Sequence, residues 1–446
     1  MDSPLQAELQ SLAILTGPPQ EQFHNLDDSD DEDEEGGDYI LHVRTALLEA
    51  KKGAITAIGE MAAHTGSAFV PHLEEVMEVL ADAARNHWHP LIKSEVAEAL
   101  PSMVVPSVAA YHGGEISWEK GDVSGANPMS QHTVAITAAV LNELILLLKD
   151  DDKTTVGKAC EGVQSVIELV GPHALLPVAA DCLKSTHELL TRKAPCQQAD
   201  EAYEQLPEDD DDDHDSFMTS VCDLVGSFGR VMGTHFKQYL PEFLPAILNY
   251  CKSSRPPSDR SMAMGCLGEL AQEMDGDIAE HWPNVFFPSV LAGLGDPDDN
   301  VKRNAAFCVG VCCESLGESV TNEYPQLLQA LSPLFSVDPS QGESSAACVD
   351  NAAAAVARMI MSSPSNVPLP QVLATFLKAL PLRTDMTENE TVYTCLLGLL
   401  QMDHADLLSN NEELRRIFLE ATSDNSKVAE EIQEKLRAAG QSMSWS

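Results

Sequence analysis

The 446-residue chain has 70 acidic and 27 basic residues, and its formal charge of −43 argues against nucleic acid or anionic membranes as partners and favours basic proteins. Hydrophobic residues make up 44% and aromatic residues 5%, a composition that favours helices over strands. The sequence lacks 18-residue apolar stretches, signal-peptide patterns and C-x-x-C pairs, so we expect neither a membrane-spanning nor a secreted protein, and reduced cysteines that serve in packing.

Three polar segments interrupt the helical sequence. In chain order they are residues 27–38, with nine carboxylates; residues 111–130, with four glycines; and residues 195–215, of which 200–215 hold ten carboxylates. Their composition predicts two acidic loops and one loop insertion, all projecting from the fold. Without those 19 carboxylates, 51 acidic residues still face 27 basic ones, so the folded surface is expected to be acidic as well.

A proline after a large apolar residue recurs along the helical parts. The copies contain Pro71, Pro177, Pro245, Pro288, Pro325 and Pro370. The last four are spaced 43, 37 and 45 residues apart, close to the period of roughly 40 to 47 residues of two-helix HEAT units. Because proline suits the first turn of a helix, each copy is predicted to open an A helix.

A B helix is predicted after each A helix. The clearest covers residues 298–316, where Val301, Ala305, Cys308, Cys312 and Leu316 recur at helical spacing. The others are predicted over residues 49–64, 91–110, 153–170, 216–232, 258–274, 344–362 and 388–401. Stacked pairs bury a continuous core, which predicts an all-α HEAT-repeat solenoid, a right-handed superhelix of antiparallel helix pairs with a concave inner surface. The repeats are expected over residues 39–110, 131–194 and 216–446.

Four segments resemble the importin-β (karyopherin-β) family. They are Val301-Lys302-Arg303-Asn304-Ala305 after an Asp-Pro-Asp turn, residues 60–71, residues 196–200, and residues 370–382. The resemblance extends over residues 39–440 and implies the cargo-binding, C-terminal half of a nuclear import receptor, with residues 1–26 as the remnant of a truncated repeat. It also implies a monomer that shuttles between cytoplasm and nucleus.

The resemblance further implies partners. The expected cargoes are basic proteins such as core histones and ribosomal proteins. Ran GTPase is expected to bind mainly through an N-terminal half that the chain lacks, and FG-repeat proteins of the nuclear pore are further expected partners.

The resemblance places the B helices on the concave surface, and there we predict the cargo site. Asn304 and Asn351 occupy corresponding positions on consecutive B helices, and their amides can pair with an extended peptide; alternatively, each fixes repeat stacking by bonding a neighbouring loop. Carboxylates predicted to receive lysine are Glu269, Glu273, Glu314, Glu343 and Asp350. The second acidic loop adds Asp209, Asp210, Asp211, Asp212, Asp213 and Asp215, which either contact cargo or only steer it.

Patterns for catalysis, cofactors and metals are missing from the sequence. There is no phosphate-binding loop, no nucleophile elbow and no zinc-protease motif, and His87-Trp88-His89 lacks the spaced partners that zinc requires. We therefore expect neither an enzyme nor a cofactor or metal site. Two other functions remain open: a HEAT-repeat scaffold of a stable complex and a histone chaperone without a transport role.

Overall fold

The computed structural model describes residues 34–123, 129–198, 211–402, 404–423 and 426–442; for residues 34–44, 211–215 and 442 it describes the backbone alone. These ranges contain helices, turns and loops, and no strand. The chain divides into two compact units, Met1–His235 and Phe236–Ser446. The predicted all-α HEAT-repeat fold is therefore confirmed. None of the described helices is both long and apolar enough to cross a membrane.

The first unit consists of stacked helix pairs. Its α-helices are α1 (Glu34–Thr65), α2 (Leu73–Asn86), α3 (Pro90–Ala99), α4 (Val105–Tyr111), α5 (Gln131–Leu147), α6 (Lys153–Val170), α7 (Pro172–Leu175), α8 (Ala179–Leu190), α9 (Pro195–Gln198) and α10 (Asp211–Met232). Helices α2, α5 and α8 are A helices, and α1, α3, α6 and α10 are B helices. Each B helix packs against the next, α1 on α3, α3 on α6 and α6 on α10.

The second unit repeats the same plan. Its α-helices are α11 (Leu240–Tyr250), α12 (Pro257–Met274), α13 (Phe287–Leu294), α14 (Asp299–Leu316), α15 (Tyr324–Leu331), α16 (Glu343–Ser362), α17 (Leu369–Ala379), α18 (Asn389–Gln401), α19 (Ala405–Leu408), α20 (Asn411–Ala421) and α21 (Glu430–Ser442). The A helices are α11, α13, α15 and α17. The B helices α12, α14, α16 and α18 stack in that order.

The predicted B helices agree with the observed ones, with three differences. The predicted helix 91–110 is divided into α3, a 3-10 helix (Leu100–Met103) and α4. Helix α6 has the predicted bounds, whereas α1 begins at Glu34, within the predicted acidic loop 27–38, and α10 begins at Asp211, within the predicted loop 195–215. Helix α14 starts as its sequence indicates, because the Asp298 carboxylate accepts hydrogen bonds from the backbone N–H of Asn300 (2.9 Å) and Val301 (3.2 Å).

The prediction that each recurring proline opens an A helix holds for only some of the copies. Pro288, Pro325 and Pro370 lie in the first turns of α13, α15 and α17, as predicted. The prediction for Pro245 is wrong: Pro241 occupies the first turn of α11, and Pro245 lies inside the helix. Pro71 lies in a 3-10 helix before α2, and Pro177 in a turn before α8. A proline that follows an apolar residue therefore marks the region of an A helix without fixing its first turn.

A second recurring feature marks the ends of four B-helix segments. A 3-10 helix of seven residues follows each of them: Gly66–His72, Gly233–Tyr239, Asp275–His281 and Gly317–Glu323. Their first residues all have positive φ, between 50° and 57°. The last three lie 42 residues apart, so this signal is more regular than the prolines. Only Asp275 among the four is not glycine.

Replacing Asp275 with glycine is expected to stabilise the second unit by about 1 kcal/mol, because L side chains are strained at this backbone position (φ 50°, ψ −137°). The change is measured as a rise in Tm. The matched control is Gly317→Asp, at φ 53° and ψ −127° with no atom within 4 Å of an added Cβ, which should lower Tm. Equal stability of wild type and both variants would contradict this interpretation.

Part of the predicted loop insertion 111–130 packs against the fold and does not project from it as predicted. Its residues 115–122 lie across the carboxyl ends of α6 and α10, where the Trp118 Nε1–H donates to the Glu168 carbonyl at 2.9 Å. The Gly121 N–H donates to the Val231 carbonyl, also at 2.9 Å. Backbone carbonyls at the ends of helices lack partners within the helix, so a neighbouring segment with donors can dock on them. We call residues 115–122 the strap.

Helix α16 is covered on all sides. Every residue from Ser345 to Ile360 is buried, including the polar Asp350, Asn351 and Arg358. Seven of these residues are alanines, which let α14 and α18 approach closely. At Gly310 of α14 an added Cβ would come within 3.0 Å of the Ala355 Cα, so the two helices are nearly in backbone contact. Helix α16 therefore offers little surface to a ligand.

Polar ties join each B helix to the loop before the next one. The Lys93 ammonium lies 2.7 Å from the Asp150 carboxylate, and the Arg260 guanidinium donates two hydrogen bonds of 2.8 Å to Asp296. The tie between α1 and α3 differs, because the Lys51 Nζ lies 3.3 Å from the His87 Nε2, an imidazole that titrates. Burial, followed by the charge of Lys51, lowers the pKa of His87 from 6.5 to about 4.

Acidification from about pH 6.5 to pH 4 is expected to destabilise the first unit through His87, because the unfolded chain takes up the His87 proton near pH 6.5 and the folded chain only near pH 4. Lys51, His89 and Lys93 face the imidazole and oppose its protonation. His87→Gln, which keeps hydrogen-bonding groups without a titration, should flatten the loss of Tm over this range. A profile that His87→Gln leaves unchanged would show that other groups cause it.

Candidate binding surface on the B helices

Carboxylates from three successive B helices converge on one face of the first unit. We call them the carboxylate row: Glu95 and Glu98 of α3, Glu161 and Glu168 of α6, and Asp223 of α10. Ser220 donates to Glu161 at 3.2 Å, and Ser227 donates to Glu168 at 2.7 Å, so α10 lies directly beside α6 along the row. Part of the row is open to solvent, since the side chains of Glu98 and Glu161 are 60% and 48% exposed, whereas Glu95 is buried.

Cations pair with the row, but they are fewer than its carboxylates. Lys158 lies 3.0 Å from Glu161 and 3.8 Å from Glu98, and Lys52 lies 3.9 Å from Glu95. Arg230 donates to Glu168 at 2.9 Å. Within the described residues, these three cations are the ion-pair partners of four of the five carboxylates. The row therefore keeps an excess of negative charge.

The crowding of negative charge affects proton binding in the row. Burial raises the pKa of Asp223, and the neighbouring carboxylates Glu161 and Glu168 raise it further. The hydrogen bond to Glu161, together with the charges of Glu161, Glu98 and Glu95, raises the pKa of Lys158. The shift of Lys158 indicates that the row stabilises an ammonium group. Chemically, the row suits the side chains of lysine and arginine.

The predicted carboxylates of the second unit lie on three helices. Glu314 of α14 has a side chain that is 59% exposed and lies 3.1 Å from the Arg358 Nε. Glu343 is exposed at the first residue of α16. Glu269 and Glu273 of α12 are half-buried. These four side chains remain accessible to a ligand, and Arg358 already neutralises part of the charge of Glu314.

The amides and the buried carboxylate that we predicted as cargo ligands have partners within the protein. The Asn304 Nδ2 donates to the Ser261 carbonyl (2.8 Å) and hydroxyl (3.1 Å) of α12. Asn351, only 2% exposed, donates to the Ala347 carbonyl and to Asp385. Asp350 is fully buried and accepts the N–H groups of Arg383, Thr384 and Asp385. These contacts are of the repeat-stacking kind that the sequence left open as the alternative.

The predicted acidic-loop residues lie mostly beyond what the structure shows. Asp209 and Asp210 are outside the described residues, and Asp211, Asp212, Asp213 and Asp215 fall in the first turns of α10 with their side chains undescribed. Across the described part of the chain, no group of three or more His, Cys, Asp or Glu residues is arranged to hold a metal ion.

The carboxylate row was missed by the sequence analysis because the acidic segment 195–215 lengthens the repeat between α6 and α10. Partners on α6 and α10 are 59 residues apart, as in Glu161 with Ser220. Partners on neighbouring B helices of the second unit are 43 to 46 residues apart. A period near 43 therefore does not align α6 with α10. The sequence does contain one indication of the row, namely two carboxylates at helical spacing in α6, Glu161 and Glu168.

Comparison with known proteins agrees with this architecture. Residues 286–316 match the model of the HEAT repeat. The chain is 26% identical over 439 residues to the probable importin subunit beta-4 of Schizosaccharomyces pombe, covering 95% of this chain and 40% of that protein. It is 27% identical over 392 residues to importin-4 of Homo sapiens, covering 86% of this chain and 34% of that protein. It thus spans two fifths or less of the length of these relatives.

Solved structures show the same fold. The karyopherin Kap121p bound to the SUMO protease Ulp1p superimposes with a TM-score of 0.72 at 18% identity, covering 90% of this chain and 36% of that one. Kap121p bound to RanGTP gives a TM-score of 0.70 at 18% identity, covering 90% and 35%. Stacked helix pairs with acidic residues on the B helices define a HEAT-repeat protein. In sequence, the chain is similar to importins over most of its length.

Proposed function

We propose that this chain is the cargo-binding, C-terminal region of a nuclear import receptor. It binds lysine-rich segments of basic proteins, such as core histones and ribosomal proteins, on the carboxylates of its B helices and shuttles between cytoplasm and nucleus. The single observation that carries the proposal is the carboxylate row, where five carboxylates from three helices lie together with fewer cations to balance them. The proposed role is binding, without catalysis.

Similarity to importins and charge support this proposal together. The chain is similar to proteins named importins, and its charge of −43 favours encounters with basic proteins. Kap121p has been solved with RanGTP and with Nup53p, which supports Ran and nuclear pore proteins as partners of the receptor to which this chain would belong. Contacts with Ran are expected mainly outside this chain.

Within the proposal the predicted residues have two different roles. Glu269, Glu273, Glu314 and Glu343 of the second unit would receive further lysines of an extended cargo segment. Asn304, Asn351 and Asp350 would act indirectly, since their side chains hold neighbouring repeats and loops in place. The second acidic loop, including Asp209 to Asp215, would steer basic cargo towards the B helices.

The test is a titration of a fluorescent lysine-rich histone-tail peptide with the whole chain. The triple variant Glu161→Gln, Glu168→Gln, Asp223→Asn should bind the peptide about tenfold or more weakly, since each lost charge contact is worth about 1 kcal/mol. The matched control Glu74→Gln, Glu75→Gln, Glu78→Gln removes the same charge from exposed positions on the A helix α2 and should change affinity less than about twofold. If both variants weakened peptide binding equally, the row would contribute only through the overall negative charge of the chain and would not be a specific binding site.

A second set of variants tests the other unit. Glu269→Gln, Glu273→Gln and Glu314→Gln together should weaken the same peptide if cargo extends along the B helices of the second unit. Asn304→Ala should lower stability more than affinity, because its amide bonds Ser261. Binding that is apolar and insensitive to salt would favour a scaffold. Removal of histones from aggregates with DNA, without any role for Ran, would favour a chaperone.

A further inference from the structure

The strap is seated on two successive B helices of the first unit. The Trp118 Nε1–H donates to a carbonyl in the last turn of α6, and the Gly121 N–H donates to one in the last turn of α10. The backbone N–H of Asp122 donates to the Glu119 carbonyl at 3.0 Å and closes a turn between these two anchors. A single short segment thus ties the ends of α6 and α10 together.

Two glycines make room for the strap. Gly171 follows α6 with φ 79°, and a Cβ there would lie 2.7 Å from the Trp118 Cβ and 2.8 Å from its ring carbon Cδ2. Gly233 follows α10 with φ 53°, and a Cβ there would lie 2.9 Å from the Lys120 Cγ. Any side chain at Gly171 would collide with the Trp118 ring. The position of the strap therefore depends on glycine at residues 171 and 233.

One residue belongs both to the strap contact and to the carboxylate row. Glu168 accepts from Trp118 through its backbone carbonyl and from Ser227 and Arg230 of α10 through its carboxylate. Moving the end of α6 relative to α10 would shift Glu168 away from these two donors. It would also separate Glu168 from Asp223, whose pKa shows that the two carboxylates interact.

We propose that the strap is a positioning element of the carboxylate row, with Trp118 and Gly121 holding α6 and α10 at the separation at which the row binds a cationic side chain. The proposal rests on the proposed function of the row. Trp118 itself is a positioning residue and does not touch the ligand. A strap that instead covered the row as a lid would have the opposite effect on affinity when removed.

The first experiment measures binding of the same lysine-rich histone-tail peptide. Trp118→Ala should weaken binding between about threefold and tenfold, the range of couplings between residues that act through one another. Trp118→Phe keeps a ring over Gly171 and loses the N–H donor, so it should fall between wild type and Trp118→Ala. Tighter binding by Trp118→Ala would overturn the proposal in favour of a lid.

Glycine variants provide a matched pair for the same measurement. Gly171→Ala both strains the backbone and displaces Trp118, whereas Gly317→Ala strains a B-helix end that has nothing within 4 Å of the added Cβ. Gly171→Ala should weaken peptide binding as much as Trp118→Ala does, and Gly317→Ala should leave it unchanged. Equal effects of the two glycine variants on binding would assign the loss to general destabilisation.

A double-mutant cycle separates positioning from stability. In the background Glu161→Gln, Glu168→Gln, Asp223→Asn, Trp118→Ala should no longer change peptide affinity, although it should still lower Tm. If the triple variant itself binds as wild type does, the proposed function of the row fails. If the triple variant weakens binding and Trp118→Ala does not, only the positioning role fails.

Hydrogen exchange tests independently whether the strap favours or opposes peptide binding. Coupling between two sites is reciprocal, so a strap that favours peptide binding must itself be stabilised by the peptide. The Gly121 amide, which is bonded to Val231, should therefore exchange more slowly when the lysine-rich peptide is bound. Faster exchange of this amide in the complex would contradict the proposal, since it would mean that the peptide displaces the strap.

Discussion

Replacing Arg358 with alanine is expected to lower the free energy of unfolding of the second unit by about 3 to 5 kcal/mol. The guanidinium donates to the Glu388 carboxylate at 2.7 Å, and the two side chains are only 9% and 5% exposed. It also bonds Glu314 and lies over the Phe307 ring. Removing it leaves the Glu388 charge buried without its partner, which costs more than the pair contributes. Urea unfolding of the whole chain measures the change.

Two further variants test this explanation. Arg358→Met combined with Glu388→Leu removes both charges and should recover most of the stability, because a buried pair exchanges well for apolar groups. Lys184→Ala removes an exposed pair with Glu188, whose side chains are 74% and 40% exposed, and should change stability by less than about 0.5 kcal/mol. A double variant no more stable than Arg358→Ala would show that lost packing, and not an unpaired charge, determines the effect.

Replacing Asp350 with alanine is the second large effect, with an expected loss of about 2 to 4 kcal/mol. Its fully buried carboxylate accepts the backbone N–H groups of Arg383, Thr384 and Asp385 at 2.7 to 3.2 Å. Alanine would leave all three donors without an acceptor on α16. The segment before α18 would then be held to α16 by Asn351, which bonds Asp385, and by Arg358, which bonds Glu388.

Hydrogen exchange of the three loop amides reports this loss locally. They should exchange faster in Asp350→Ala, while Asp350→Asn, which keeps one carbonyl oxygen as acceptor, should show a smaller increase and a smaller loss of stability. Unchanged exchange of Arg383, Thr384 and Asp385 in Asp350→Ala would mean that the loop does not depend on this carboxylate.

The helix pairs could be predicted from the sequence because their signals are local. The apolar spacing in α14 and the carboxylate cap at Asp298 lie within one helix, and both are confirmed. Pro245 shows the limit of a local rule: the position of a proline within an A helix depends on where the preceding 3-10 helix ends, and the apolar residue before it does not reveal that.

The site residues were harder to predict, because exposure depends on neighbouring repeats. Asn351 lies on a helix whose small residues let its neighbours close over it, so a position that looked accessible is buried. The strap contacts carbonyls 50 residues away at Glu168 and farther still at Val231. The strap contacts backbone atoms, so the side chains of α6 and α10 do not indicate where it docks. Only the glycines that make room for it could be recognised in the sequence.

The expected binding depends on the charge of the folded surface. The helix pairs form the stack, and the acidic residues on the B helices give the chain its expected preference for basic segments. The carboxylate row concentrates that preference, since three cations pair with four of its five carboxylates. The strap and the polar ties between repeats keep these groups in place.

The most direct test of the central claim is the salt dependence of binding to the lysine-rich peptide. Affinity should fall roughly tenfold or more between 50 mM and 300 mM salt, because screening weakens contacts between exposed charges. The slope should be clearly shallower for Glu161→Gln, Glu168→Gln, Asp223→Asn. Tight binding that is insensitive to salt and equal in both proteins would contradict the claim that these carboxylates bind basic segments.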